Sequence, residues 1–298
     1  MGTPDFAVAS LAALQNAGHQ IVAVVTSPDK PAGRGQKLRE SAVKQYATTH
    51  QLKVLQPEKL KSPEFIEELR SLNADLQIVV AFRMLPEVVW NMPPMGTINL
   101  HASLLPQYRG AAPINHAIIN GEKMTGVSTF LLQHEIDTGS VIFSETTEIG
   151  DEDNAGTLHD RLMEIGARLI VKTVQAVAEG NYTATPQTPS DELKAAPKIF
   201  KEFCQINWNQ SNILVYNHIR GLSPYPAAFT TITEKTLKIF TAERINVKPN
   251  IAPGQFETDG KTYLQFASTD GFIRVLDVQL EGKKRMKIDE FLRGVRLN

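Results

Sequence analysis

An α/β amino-terminal domain, doubly wound on a mostly parallel sheet and followed by a small all-β barrel, is the fold class this sequence predicts. Three observations carry it. Through residues 1–180, short apolar runs rich in β-branched residues alternate with helical stretches, the pattern of a parallel sheet covered on both faces. Residues 181–200 hold Pro186, Pro189 and Pro197 among Thr, Ser and Ala, a linker composition. From 201 to 298 the texture changes to short alternating strands separated by turn residues, the mark of a barrel.

The elements follow in order. Helical stretches are expected near 6–17, 41–50 and 63–72, with strands at Ile21–Val25, Leu76–Ala81 and Thr97–Leu100. Val127–Phe130 and Gly139–Ile149 read as a later strand pair. A long amphipathic helix is expected over Ala155–Ala178, because Leu158, Leu162, Ile165, Leu169, Thr173 and Val177 recur at three- and four-residue steps, and Gly180 ends it. The barrel strands are expected at 226–232, 236–240, 253–257, 261–267 and 272–280. The first residues break the pattern: Met1-Gly2-Thr3-Pro4 already reads as the loop that follows a first strand. A doubly wound sheet without that strand leaves its neighbours with unpaired backbone. The expectation is therefore that the sequence begins at an internal methionine.

With 298 residues, 42% hydrophobic and 21% charged, the chain is long enough for two ordinary domains and has the balance of a globular protein. No apolar run reaches the roughly 20 residues of a membrane helix, and no secretory leader pattern opens the chain. The single cysteine, Cys204, excludes an internal disulfide and a cysteine-based zinc site, and suits a reducing cytoplasm. His19, His50, His116, His134, His159 and His218 are scattered without metal-ligand spacing. Net charge is −1. From Phe200 onward, however, there are 14 Lys and Arg against 10 Asp and Glu, whereas the preceding residues hold 17 against 22. A basic terminal part on an acidic first part suggests a nucleic-acid contact on the second domain.

The most informative pattern is Asn99-Leu100-His101. On a strand, positions i and i+2 point to one face, roughly 6.5–7 Å apart. The strand stops at Ser103-Leu104-Leu105-Pro106 and Arg109-Gly110, and ligands of open α/β sheets bind at the carboxyl ends of strands. An amide beside an imidazole suits a developing oxyanion, and an acid from elsewhere, such as Asp137, can orient the imidazole and favour its charged form. No Ser or Cys nucleophile is needed if the substrate brings an amine. The alternative is a strand-end Asn and His that only satisfy loop backbone.

The run Asn99-Leu100-His101-Ala102-Ser103-Leu104-Leu105-Pro106-Gln107-Tyr108-Arg109-Gly110-Ala111-Ala112-Pro113-Ile114 resembles the signature of the 10-formyltetrahydrofolate-dependent formyltransferases. Asp137 in Ile136-Asp137-Thr138-Gly139 matches that family's catalytic aspartate. Gly2-Thr3-Pro4-Asp5-Phe6-Ala7, Lys30-Pro31-Ala32-Gly33-Arg34-Gly35 and Gly282-Lys283-Lys284-Arg285-Met286 resemble the branch that acts on methionyl-tRNA. These matches span nearly the whole chain in the expected order.

The resemblance implies several things. Asn99, His101 and Asp137 would be the catalytic residues, with 10-formyltetrahydrofolate as formyl donor and no metal. Ser103, Leu104, Leu105 and Pro106 would contact the folate. Phe82, Arg83 and Met84 lie in a loop that edges the pterin pocket, where the family usually has Ala-Tyr-Gly before an apolar pair and Pro; this chain is one residue shorter and carries Arg83, as sugar-formylating relatives tolerate. Gly33, Arg34, Gly35 and Lys37 would enter the acceptor end of methionyl initiator tRNA. The second domain would be OB-like, with Lys283, Lys284 and Arg285 on tRNA phosphate. No membrane and no obligatory protein partner are implied. Taken as bare residues, the glycine loop and the basic run also fit solvated surface. A sugar-nucleotide formyltransferase and a non-catalytic folate- or RNA-binding module are the alternative functions.

Overall fold

The computed structural model describes residues 1–32, 37–188 and 192–297. The chain forms two compact units that do not follow chain order. The first comprises Met1–Arg109, Gly126–Thr147 and Asp160–Lys194; the second comprises Gly110–Thr125, Glu148–His159 and Ala195–Asn298.

In the first unit, the helices Asp5–Asn16, Ala42–Thr49 and Pro63–Ser71 alternate with the strands Val24–Val25, Val54–Leu55 and Gln77–Val80. The helix starts follow from local chemistry. Ser41 and Ser62 cap the second and third helices, their hydroxyls accepting from the backbone N–H of Lys44 and Phe65, and Pro63 opens the third with its fixed φ. Val25, Leu55, Phe65, Leu69, Val79, Leu85 and Val89 close into one apolar core, each large side chain contributing about 1.5–3 kcal/mol on full burial.

The α/β class holds, with a mixed sheet. Gln77–Val80 runs parallel to Thr97–His101, which then pairs antiparallel with Met124–Leu131, and Val141–Glu148 completes the four strands. The 132–140 connection is too short for the crossover that a parallel pair requires. Val24–Val25 pairs in parallel with Val54–Leu55 in a separate ribbon. Met1 and Gly2 run between that ribbon and the larger sheet. Gly2 donates to the Val25 carbonyl at 3.0 Å and bridges Val80 in parallel, while Val80 donates to the Met1 carbonyl at 2.9 Å. Beside them lies an apolar cavity of about 140 Å³ lined by Leu11, Leu14, Val24, Leu72 and Ile78 among others.

The helix Ala155–Ala178 stands where its periodicity placed it. Leu158, Leu162, Ile165, Leu169, Thr173 and Val177 are all buried. Gly166 lets it lie against the sheet: a Cβ there would stand 2.9 Å from Leu100 Cδ2.

The second unit carries an antiparallel, curled, OB-like sheet in the order Ala228–Ile232, Lys235–Ile245, Phe272–Leu280, Leu264–Ala267, Phe256–Thr258, with Met286–Lys287 also on Phe272–Leu280. The first hairpin turns through Thr233 and Glu234, both at positive φ (45° and 64°), the primed-turn geometry that matches strand twist. Leu237, Ile239, Phe266, Ile273, Val275 and Val278 face its core, closed by the helices Asn212–Gly221 and Ile288–Gly294. Trp208 stacks on Phe266 at 4.8 Å between ring centroids and donates its indole N–H to Thr230 Oγ1 at 3.0 Å. No helix among the described residues is long and apolar enough to cross a membrane.

Candidate active site

The strand Thr97–His101 divides its side chains by alternation. Ile98 and Leu100 are buried on one face, and Asn99 and His101 share the other. Two neighbours fix the register: Asn99 lies opposite Val79 on one side and Phe130 on the other, and His101 lies opposite Ser128. Among the described residues, the half-buried Asn99 amide has no hydrogen-bond partner. His101 is 8% exposed, and its Nε2 lies 2.9 Å from the Tyr108 carbonyl oxygen. A carbonyl only accepts, so Nε2 carries the hydrogen and Nδ1 is the nitrogen that gains or loses a proton. Nδ1 stands 3.9 Å from Asp137 Oδ2. That distance is ionic contact and too long for a hydrogen bond, which leaves room for a third atom at Nδ1.

The loop after the strand is built to aim Tyr108. Ser103 donates its hydroxyl to the Gln107 carbonyl at 2.6 Å; Ser128 donates to the Ser103 carbonyl at 2.8 Å and accepts from the Leu105 N–H at 3.1 Å. The Ser103 hydroxyl is thus committed to the loop. Tyr108 takes a positive φ of 60° and donates its N–H to the Lys194 carbonyl at 2.6 Å, turning its own carbonyl to His101. Leu104, Leu105 and Pro106 are half-buried. Phe82, in the loop after Gln77–Val80, is half-buried against the apolar core, and Met84 is 72% exposed.

Asp137 sits in a left-handed turn, with φ of 54°. Thr138 braces it by donating to the Glu135 carbonyl at 3.0 Å, and Gly139 is required because a Cβ there would stand 1.7 Å from the Leu131 carbonyl oxygen. Gln187 holds both ends: its Nε2 donates to the carbonyls of Asp137 at 2.9 Å and Gly139 at 2.8 Å. Its Oε1 accepts from Arg109 Nε at 3.1 Å and Nη2 at 2.7 Å. Gln187 is itself placed by an antiparallel bridge between Thr185 and Val141. Sequence reasoning missed Gln187, Arg109 and Tyr108 as site residues. Gln187 lies in a stretch whose prolines read as linker, and Arg109 was read as a strand break and a member of the signature run, with no role of its own.

Arg83 donates to the carbonyls of Pro57 at 2.7 Å and Glu58 at 3.0 Å and lies over the Phe82 ring, so it ties its own loop to the 57–58 segment. Gly33, Arg34 and Gly35 lie outside the described residues. Lys37 opens the strand Lys37–Arg39, which pairs with Lys30–Ala32. The base of that hairpin is anchored by Asp29, which accepts from Lys44 and from Gln56; the Lys44 hydrogen bond holds its carboxyl below the usual range. In the basic run, Arg285 makes two bonds to Asp277, at 2.9 and 2.8 Å, and lies over the Phe240 ring. Lys287 reaches the same carboxylate at 3.4 Å, and Lys284 reaches Glu290 at 3.3 Å. Among these residues, Lys283 alone has no acidic partner among the described residues. His116 is buried and bonded to the Pro197 carbonyl, and Cys204 is buried. Among the described residues no group of three or more His, Cys, Asp or Glu side chains could hold a metal ion.

Comparison with known proteins adds the following. A family model described as formyl transferase matches residues 1–174, and one described as formyl transferase, C-terminal domain, matches 198–296. A relative named methionyl-tRNA formyltransferase from Bacteroides fragilis is 57% identical over 305 residues, covering 100% of this chain and 94% of its own length. One of the same name from Bacteroides thetaiotaomicron is 55% identical, covering 100% of this chain and 95% of its own. Among solved structures, the N-formyltransferase from Helicobacter canadensis in complex with folinic acid and dTDP-3-aminofucose superposes with a TM-score of 0.67. It is 21% identical and covers 96% of this chain and 97% of its own, a likeness of fold.

Proposed function

Because the chain belongs to the formyl transferase family, we propose that it transfers a formyl group from 10-formyltetrahydrofolate to the α-amino group of methionyl initiator tRNA, in the cytoplasm, for translation initiation. The observation that carries the chemistry is the convergence of Asn99, His101 and Asp137 at one strand end, with Nδ1 of His101 held 3.9 Å from the Asp137 carboxylate. The identity above 50% to relatives named for methionyl-tRNA supports the acceptor.

The folate supplies a formyl carbon already bonded to a nitrogen that can leave. The acceptor amine of an aminoacyl ester is less basic than a lysine amine, and much of it is neutral near pH 7 (the free α-amino reference is about 7.7–8.0). As the amine nitrogen bonds to the formyl carbon, negative charge develops on the formyl oxygen. The Asn99 amide and the protonated Nδ1 of His101 face that charge; one such donor is typically worth about 10²–10³ in turnover. Asp137 accepts the amine's proton, directly or through water. The oxyanion then collapses to the formyl C=O, the carbon–nitrogen bond to the donor breaks, and the leaving nitrogen takes the proton that Asp137 received. The hydrogen bond from Nε2 to Tyr108 keeps the imidazole from rotating while this happens. Leu104, Leu105, Pro106, Phe82 and Met84 provide apolar surface for the pterin.

The tRNA contacts of this reading are the Gly33, Arg34, Gly35 and Lys37 loop at the acceptor end and Lys283 and Lys284 on phosphate, with Arg285 shaping the same surface through Asp277. The deciding experiment supplies the purified protein with the folate donor and either methionyl-tRNA or a nucleotide-linked amino sugar. Formylation of methionyl-tRNA is expected; formylation of the amino sugar alone would replace this reading by a sugar-nucleotide formyltransferase.

A further inference from the structure

Gln187 is a half-buried amide with every hydrogen-bonding position used. Its two N–H bonds go to the carbonyls of Asp137 and Gly139, and its oxygen takes two bonds from Arg109. The assignment of its ends is forced, since a guanidinium only donates and carbonyls only accept. What it holds is unusual. A non-glycine residue in the left-handed region is disfavoured and persists only where its surroundings fix it. Asp137 is such a residue, and its side chain is the one that faces Nδ1 of His101. Bonding the carbonyls on both sides of the 137–139 turn fixes the peptide planes that set where the carboxylate points. Separately, the Lys194 carbonyl accepts the Tyr108 N–H, and the Tyr108 carbonyl in turn holds Nε2 of His101.

We propose that Gln187, oriented by Arg109, is the positioning residue that locks the Asp137 turn in its reactive conformation. It touches no reacting atom; it acts through Asp137. The proposal rests on the formyl-transfer reading for its catalytic consequence, and the experiment separates the two.

Gln187→Met keeps the length of the side chain and removes all four bonds. Gln187→Glu keeps the acceptor toward Arg109 and loses the donated pair. Both variants should lose about 10²-fold in kcat for formyl transfer to methionyl-tRNA, the cost of displacing a reacting group by about 1 Å, with KM for the folate donor little changed. In an Asp137→Asn background, Gln187→Met should cost nothing further, because residues acting as a unit are not additive. Independently of activity, amide hydrogen exchange in the 132–140 peptide should speed up in Gln187→Met while the rest of the chain is unchanged. Full activity of Gln187→Glu, multiplication of the Gln187 and Asp137 losses, or unaltered exchange at 132–140 would each overturn the proposal. If wild type fails to formylate methionyl-tRNA, the functional reading fails, and the exchange measurement still decides whether Gln187 holds the turn.

Discussion

At the scale of single residues, His101 is defined by what each of its nitrogens meets. Nε2 is tied to a backbone carbonyl, and Nδ1 faces Asp137, where the proposed reaction needs it. In the proposed mechanism, His101→Ala removes a donor to the developing oxyanion, an interaction that matters mainly in the transition state. Turnover should fall by about 10²–10³, the usual worth of one oxyanion donor, with little change in affinity for the folate donor. Steady-state kinetics with purified variant checks this, and unchanged kcat would remove His101 from the mechanism. The pair Asn99 and His101 was legible in the sequence because strand alternation is a strict rule. The role of Tyr108 was not, since a backbone carbonyl has no side-chain signature. Ser103 was legible only as a member of a motif, and its hydroxyl turns out to brace Gln107.

At the scale of elements, regular periodicity could be read and long-range polar contacts could not. The helix Ala155–Ala178 announces itself because six apolar or small side chains recur on one face, and all six are buried. The contacts of Gln187 have no period, and its partners lie about fifty and eighty residues away in sequence. The basic run near the carboxyl end teaches the same lesson. Read along the chain, it is four cations; across the sheet, Asp277 gathers Arg285 and Lys287. Burial pushes the Asp277 carboxyl up, but the hydrogen bond and charge of Arg285, then Lys287, outweigh it and hold it below its usual value. A carboxyl with a folded pKa below its unfolded value of about 3.9 binds fewer protons in the native state. Its stabilisation is whole above the unfolded value and is lost as pH falls through the folded one. Asp277→Asn should therefore be less stable than wild type near neutrality, and its urea midpoint should fall less steeply than wild type's as pH drops below about 4. Parallel pH profiles would assign the acid sensitivity to other carboxyls.

At the scale of the whole molecule, the charge asymmetry of the sequence survives only in part as available charge. The residues from Phe200 onward carry 14 basic and 10 acidic side chains, but Lys284, Arg285 and Lys287 already have acidic partners. Surface pairs such as Lys284–Glu290 are weak and exchange readily for phosphate; the two-bonded Arg285 does not. Lys283→Ala with Lys284→Ala should thus weaken tRNA binding similarly across tRNA sequences. It should flatten the dependence of log affinity on log salt by about 0.7–0.9 for each phosphate that is no longer neutralised. Arg285→Ala should instead show mainly as reduced stability. Salt titrations of tRNA affinity test both statements, and identical slopes for the double variant and wild type would make the run ordinary solvated surface. The two tryptophans carry an optical consequence. Trp208, stacked and hydrogen-bonded, belongs to the second compact unit, and Trp90 belongs to the first, edge-on to His134 at 6.2 Å just ahead of Asp137. The protein thus holds one tryptophan per unit. Replacing either by Phe leaves tryptophan emission that follows a single unit, and the Trp90 signal, with the His134 ring against it, reports on the loop that carries Asp137.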